Sequence, residues 1–390
     1  MQQDYDPLAP EDFDTPHRVF AALRRECPVP HSEAFGGFWM LTRHADIRRV
    51  LDDPIEFTTR IRNVVPGASA TGRRPPLHLD PPEHTPYRRA IDRALGRRRV
   101  EAITPVIADH ARALLAAFVA KGGGDLVEDY SSPLPALVFA DWLALDAAQT
   151  DLLWRTAQRF VKAWESFDVA IVGKTSETLY ELARDLIAAR RATPLDPERD
   201  PVSSLLEARD EAGAPLPDAM LVGCVRQVLV VGLVAPPVLV GSMAVHLSRD
   251  PALQQILRAD PSLIPAATEE FLRLYTPYRG FARTSVHGAT FADRFIAPGE
   301  PIALAYASAN RDEAVFEAPD TFRLDRPNIR EHFAFGRGPH RCAGTAMARV
   351  ELQIALRELL AATTHFELAG AVRMSGMPEV GPTYVPLAVR

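Results

Sequence analysis

Apolar residues recur at spacings of three and four through much of this chain, the period of an amphipathic helix. Residues 102–120 (AITPVIADHARALLAAFVA) carry the pattern, and the glycines at 122–124 predict where that helix stops. The same period predicts helices over 151–165, 174–192, 218–246, 264–275 and 343–362. Period-two alternation is confined to 38–42 and to about 284–308, where Gly and Pro-Gly turns join short strands, with a last apolar piece at 384–389. Loops rich in Pro, Asp and Arg lie at 60–82 and 193–201. One run, 228–245, is apolar on every side and reaches the lower length limit of a membrane span. Arg226 and Gln227 precede it closely and Pro236-Pro237 interrupts it, so it reads as the central helix of a large core. Without a repeat or a linker, the pattern predicts one domain over residues 1–390, mainly α with a small β portion.

Composition narrows the class. Apolar residues make up 47% and charged ones 24%, a balance that can bury a core and that excludes a disordered chain. Lys+Arg 44 against Asp+Glu 50 leave a net charge of -6, so no overall basic field would draw nucleic acid. Cys27, Cys224 and Cys342 are too few and too scattered for a disulfide framework, and no C-x-x-C pair suggests zinc. The N-terminus (MQQDYDPLAPEDFDTPHRVF) is acidic and broken by proline, so neither a signal peptide nor an anchor is expected, and the expected location is cytoplasmic.

The most specific stretch is Phe335-Gly-Arg-Gly-Pro-His-Arg-Cys342-Ala-Gly344, followed by the helical TAMARVELQIALRELL. A cysteine at the mouth of a helix meets free N–H groups and the positive dipole end, which favour thiolate over thiol. Glycines at 336, 338 and 344 let the backbone pass close to something large and flat, because no Cβ intervenes. A thiolate held this way suits an iron centre, whereas the plainer reading is a buried structural cysteine in a glycine-rich turn. Cys27 and Cys224 take the plainer reading.

These residues resemble the cytochrome P450 family. Phe335, Gly338, Cys342 and Gly344 fill its haem-binding signature F-x-x-G-x-x-x-C-x-G, and Glu270 and Arg273 in ATEEFLRLY fill its E-x-x-R signature. The resemblance spans nearly the whole chain and is to the soluble bacterial type. It implies the P450 fold, with haem b (iron protoporphyrin IX) buried between the long central helix and the cysteine-loop helix, and Cys342 as iron ligand. It implies that Arg326 in FRLDRPN joins Glu270 and Arg273 in a structural role. By the same carry-over, His84 and Arg88 in LDPPEHTPYRRAI bind one haem propionate, Arg283 in GFARTSVHG the other, and His340 is a further donor. Arg89, Arg97, Arg98, Arg337 and Arg341 would form a patch on the cysteine side where an acidic ferredoxin docks. With no reductase fused, electrons from NAD(P)H would come through a separate ferredoxin reductase and ferredoxin. A monomer is expected, with no nucleic-acid or membrane partner.

One departure stands out. Where the family's central helix carries glycine, an acid and a threonine, this chain has Gly232, Val234 and Ala235. No shift of one or two residues recovers an acid or hydroxyl, and Pro236-Pro237 would kink the helix and free carbonyls. The expected activity is monooxygenation: O2 is reduced by two electrons and one oxygen atom enters a largely apolar small molecule. A peroxide-driven peroxygenase, an oxidative coupling enzyme and a non-catalytic haem-thiolate ligand sensor are the alternatives. Pocket candidates by resemblance are the 60–80 loop, Val231, Val234, Ala235, the turn with Tyr278 and Phe281, and Thr383-Tyr384. Arg73, Arg74 and Arg279 are candidate anchors for a carboxylate.

Overall fold

The computed structural model describes residues 4–67, 72–165 and 168–390. Its helices are α1 (Thr15–Glu26), α2 (His44–Asp52), α3 (Thr85–Ala94), α4 (Arg97–Ala120), α5 (Pro133–Trp142), α6 (Ala147–Glu165), α7 (Val169–Ala192), α8 (Pro201–Glu207), α9 (Asp218–Val231), α10 (Ala235–Arg249), α11 (Pro251–Ala259), α12 (Ile264–Leu274), α13 (Tyr306–Ala309) and α14 (Thr345–Ala362). Strands β1 (His31–Ser32), β2 (Phe38–Leu41), β3 (Phe57–Thr58), β5 (Phe281–Ser285) and β8 (Pro301–Leu304) form one sheet in the order β1-β2-β8-β5-β3. β4 (Gly123–Asp125), β12 (Pro386–Val389) and β9 (Phe366–Leu368) form a second. β6 (Ala289–Phe291) pairs with β7 (Arg294–Ile296), and β10 (Arg373–Met374) with β11 (Pro382–Tyr384).

Helices carry the main core. Ile103, Ile107, Ala111, Leu115 and Phe118 recur at three and four along α4 and are buried against α14 residues such as Leu352, Leu356 and Leu359. The glycines after α4 end it as expected, with Lys121 as its cap. They also enter β4 and pair with β12, which alternation could not reveal because glycine has no side chain to alternate. Within the expected strand region, residues 306–309 are instead the short helix α13.

The apolar run 228–245 lies inside the fold. The helical stretch Asp218–Arg249 is apolar enough to cross a membrane by length and composition, as is Arg97–Ala120, but 72% of the former's most apolar window is buried in protein. The expectation of one kinked helix needs correction: α9 ends at Val231 and α10 restarts at Ala235. Pro236 and Pro237 fall in the first turn of α10, where no N–H is required, so the break precedes the prolines.

Burial also sets a pH dependence. Glu351, on α14, is 3% exposed, and burial pushes its carboxyl up to about 8 from an ordinary 4.5. The folded state therefore keeps a proton that the unfolded state loses, and stability falls by about 1.4 kcal/mol per pH unit as pH rises through that interval. Glu351→Gln is expected to match the parent near pH 4.5 and to exceed its Tm increasingly up to pH 8. Equal melting curves at pH 8 would refute this.

Candidate functional site

The loop before α14 is shaped by backbone that only glycine adopts readily. Gly336 and Gly338 have φ of +65° and +70°, and a Cβ at Gly338 would run into the Leu51 carbonyl of α2. Cys342 N–H donates to Phe335 C=O (2.8 Å), and Thr345 Oγ1 to Cys342 C=O (2.6 Å). Cys342 is exposed, unlike buried Cys224 and half-buried Cys27. Protein packed around its sulfur raises the thiol, opposed by the Gly344 N–H, Arg88, the Thr345 hydroxyl and Arg341. The helix mouth alone therefore does not secure a thiolate, contrary to expectation, because desolvation outweighs the local field.

Beside this loop the protein collects donors that lack acceptors. Arg283 on β5 is 6% exposed and donates to the Ala282 carbonyl (2.8 Å), with no carboxylate paired to it among the described residues. His84 precedes α3, and its Nε2 is buried without a hydrogen-bond partner. His340 Nε2 is likewise unbonded, lying 3.8 Å from an Asp80 oxygen, and its ring meets that of His84 edge-on at 4.7 Å. Burial, then His340 and Arg88, pulls His84 down to about 3, and burial lowers His340 against the opposing pull of Asp80. Arg88 reaches from α3 to the Pro339 carbonyl (3.1 Å) and the Arg341 carbonyl while pairing with Asp92 (2.8 Å). A cysteine flanked by a buried guanidinium and two imidazoles is a donor set for a metal centre bearing carboxylates.

Glu270, Arg273 and Arg326 meet, all 5% exposed or less. Glu270 accepts from Arg273 Nε and Nη2 (2.9 and 2.7 Å), from Arg326 Nε (3.0 Å to each oxygen) and from the Arg323 N–H (3.1 Å). Arg273 Nη1 also donates to Asn310 C=O (2.9 Å), and the Asn310 side chain accepts from Phe333 N–H (2.7 Å) at the start of the cysteine loop. On the other side Glu269 accepts from Arg349 of α14 (2.9 Å), whose guanidinium lies 4.7 Å over the Phe335 ring. Asn310, Glu269, Arg349 and Asp80 were not read from sequence; their partners are remote along the chain and no motif flags them.

Gly232 caps α9, Val234 precedes α10 and Ala235 opens it. A Cβ on Gly232 would enter the Phe139 ring of α5, so packing by itself demands glycine there. The hydroxyls bonded to the start of α10 already donate to its carbonyls: Ser131 Oγ to Pro237 C=O (3.3 Å) and the buried Ser242 to Val238 C=O (2.9 Å). Val231 is 52% exposed. Tyr278 and Phe281 pack at 4.5 Å, and the Tyr278 phenol, raised by burial, lies within the electrostatic reach of Cys342. Thr383 and Tyr384 lie on β11, where Arg373 covers the Tyr384 ring at 4.3 Å. Residues 68–71 of the 60–80 loop lie outside the described residues. Arg279 is no free anchor: it is 1% exposed and bonded to Glu11 (2.7 Å) and the Glu379 carbonyl (2.9 Å).

The docking arginines divide. Arg89, Arg98 and Arg341 are exposed with no side-chain ion partner among the described residues, whereas Arg97 pairs with Glu101 (2.8 Å) and Arg337 with Asp52 (2.5 Å).

Comparison with known proteins places this geometry. The family model described as Cytochrome P450 matches residues 155–369. Cyclomarin C epoxidase CymV of Salinispora arenicola is 31% identical over 383 residues, 96% of each chain. Linalool 8-monooxygenase of Pseudomonas putida is 31% identical over 400 residues, covering 95% of this chain and 96% of its own. The solved structure of cytochrome P450 CYP109Q5 from Chondromyces apiculatus superposes with a TM-score of 0.87 at 27% identity, over 99% of this chain and 98% of its own. With a glycine-shaped cysteine loop, an E-x-x-R helix and likeness along its full length, the chain belongs to the cytochrome P450 family and is an oxidoreductase of its monooxygenase class.

Proposed function

We propose that the protein inserts one oxygen atom from O2 into a largely apolar small organic molecule, with Cys342 as the only protein ligand to a haem b iron. The observation that carries this is Cys342 beside the buried Arg283 and His84, neither paired with a carboxylate among the described residues, with His340 held only at 3.8 Å from Asp80. Haem propionates are carboxylates, and these donors, with Arg88 at the cysteine loop, would hold them by charge-assisted hydrogen bonds. Coordination deprotonates a thiol outright, overcoming the burial that raises Cys342. When bound, the haem supplies dioxygen activation, which a thiolate ligand promotes. Val231, Val234, Ala235, Tyr278, Phe281, Thr383 and Tyr384 would line the substrate space and exclude water, and Glu270, Arg273 and Arg326 would fix the frame behind the cysteine loop. We assign residues 1–390 to one haem domain, monomeric and cytoplasmic. NAD(P)H would supply electrons through ferredoxin reductase and ferredoxin, steered by Arg89, Arg98 and Arg341 more than by the paired Arg97 and Arg337.

Val234 and Ala235 cannot relay protons, and the neighbouring Ser242 hydroxyl is already committed. Protons must then arrive through water, through carbonyls at the 232–234 break or through the substrate, and a misplaced donor costs about 10²–10⁴-fold in such a step. Peroxide-driven turnover is favoured by the same observation, since peroxide brings its own proton. The test is product formed per NAD(P)H consumed, with surrogate redox partners and a ligand that shifts the spin state. Apolar substrates are expected to couple poorly, losing reducing power to peroxide, and Val234→Asp with Ala235→Thr is expected to raise the ratio. Tight coupling in the parent, unchanged by the pair, would overturn the proton argument; ligand binding with no product by either route would overturn the oxygenase reading.

A further inference from the structure

Between the 72–84 loop, α7 and α9 the protein buries positive charge that no carboxylate among the described residues pairs with. Arg226, near the end of α9, is 1% exposed; its Nη2 donates to Ser176 Oγ (3.1 Å), and its Nε is buried with no partner. Its guanidinium lies 5.4 Å from the Phe160 ring and 5.9 Å from the Tyr180 ring. Arg74 Nε and the Tyr180 hydroxyl are also buried without partners, and Arg74 Nη2 lies 3.4 Å from the His78 imidazole. The loop is seated on the helix: a Cβ on Gly223, one turn before Arg226, would run into the Arg73 carbonyl. Among the described residues no carboxylate pairs with Arg73, Arg74 or Arg226. Burial, then Arg74, pulls Arg226 down to about 10; burial, then Arg74, Arg226 and Arg73, pulls His78 down to about 4. Aromatic faces attract a cation, but they leave the planar fork of N–H donors unfilled.

We propose that Arg74 and Arg226, assisted by the Tyr180 hydroxyl, bind the carboxylate of the substrate, whose apolar body runs along α9 toward Val231 and Ala235. This rests on the monooxygenase reading and names its substrate class: an organic acid with an apolar body. A carboxylate accepts bidentately from a guanidinium and neutralises a site where the buried Arg226 and the half-buried Arg74 otherwise repel. Arg226 lies five residues before the end of α9 at Val231, about 7.5 Å along the helix, and the 232–234 break continues the line toward Ala235, which leaves room for a medium-length apolar body. Arg73 is exposed at the loop surface and would steer the acid inward rather than hold it.

The test titrates ferric holoenzyme with octanoate, decanoate and dodecanoate, each against its primary alcohol, following the spin-state shift. Acids are expected to bind at least tenfold more tightly than the alcohols. Arg226→Met or Arg74→Gln is expected to weaken acid binding by roughly tenfold to hundredfold while leaving alcohol binding unchanged, which also shows that the variant is folded. Alcohols binding as tightly as acids, no acid binding at all, or an acid preference that survives both variants would each overturn the site. Turnover separates the two ideas: acids that bind in an arginine-dependent way without oxygenated product keep the site and sink the oxygenase reading, and product from alcohols alone does the reverse.

Discussion

Replacing Cys342 with serine is expected to abolish the thiolate-type spectrum of the reduced carbon monoxide complex and, with it, oxygenation. A hydroxyl is a harder and far less acidic donor than a thiol, so it cannot supply the electron density a thiolate gives to iron. The loop that presents position 342 is built by backbone, through the Phe335 carbonyl and two glycines at positive φ, so the substitution should leave the cradle folded. Cys27→Ser and Cys224→Ser are expected to leave the spectrum unchanged. Cys224 is fully buried and burial pushes its thiol far up, while Cys27 is raised by partial burial, so neither is poised to ionise. A thiolate spectrum surviving Cys342→Ser, or lost with either other cysteine, would refute the assignment.

What could be read in advance follows the range of the interaction. The cysteine loop was legible because its chemistry is local: glycines, cysteine and helix start lie within ten residues. Glu270 and Arg273 were legible as an i,i+3 pair, and Arg326 only through family resemblance, since it approaches Glu270 from 56 residues away. Asn310 stayed hidden although it ties Arg273 to Phe333, because a buried asparagine bonded across 37 and 23 residues leaves no periodic trace. Pro236-Pro237 announced a break in the central helix, but proline is tolerated in a first turn, so the break fell at 232–234, ahead of the prolines. Arg226 was misleading in the same way: before an apolar run it argued against a membrane span, and nothing local said that it would be buried beside Arg74.

Glu270→Ala should leave little or no haem-loaded protein. Glu270 and Arg273 are fully buried and Arg326 nearly so, and the single carboxylate balances two guanidinium groups. Backbone carbonyls of Asn310, Pro319, Thr321 and Glu317 accept the outward-facing N–H groups, which fixes both arginines in place and prevents them from turning to water when the acid is lost. Removing the carboxylate therefore strands two buried positive charges and the Arg323 N–H, a loss of roughly 3–5 kcal/mol for one broken buried pair. That is a large share of the 5–15 kcal/mol by which a domain is ordinarily stable. It falls on the segment that anchors the cysteine loop through Asn310 and Phe333. Glu270→Gln keeps the acceptor oxygen and loses only charge, so it should fold better than alanine while still melting below the parent. The order parent, glutamine, alanine in both haem content and Tm is the expected result. Normal haem content in Glu270→Ala, with only turnover altered, would show that the network serves catalysis rather than the frame that holds Cys342.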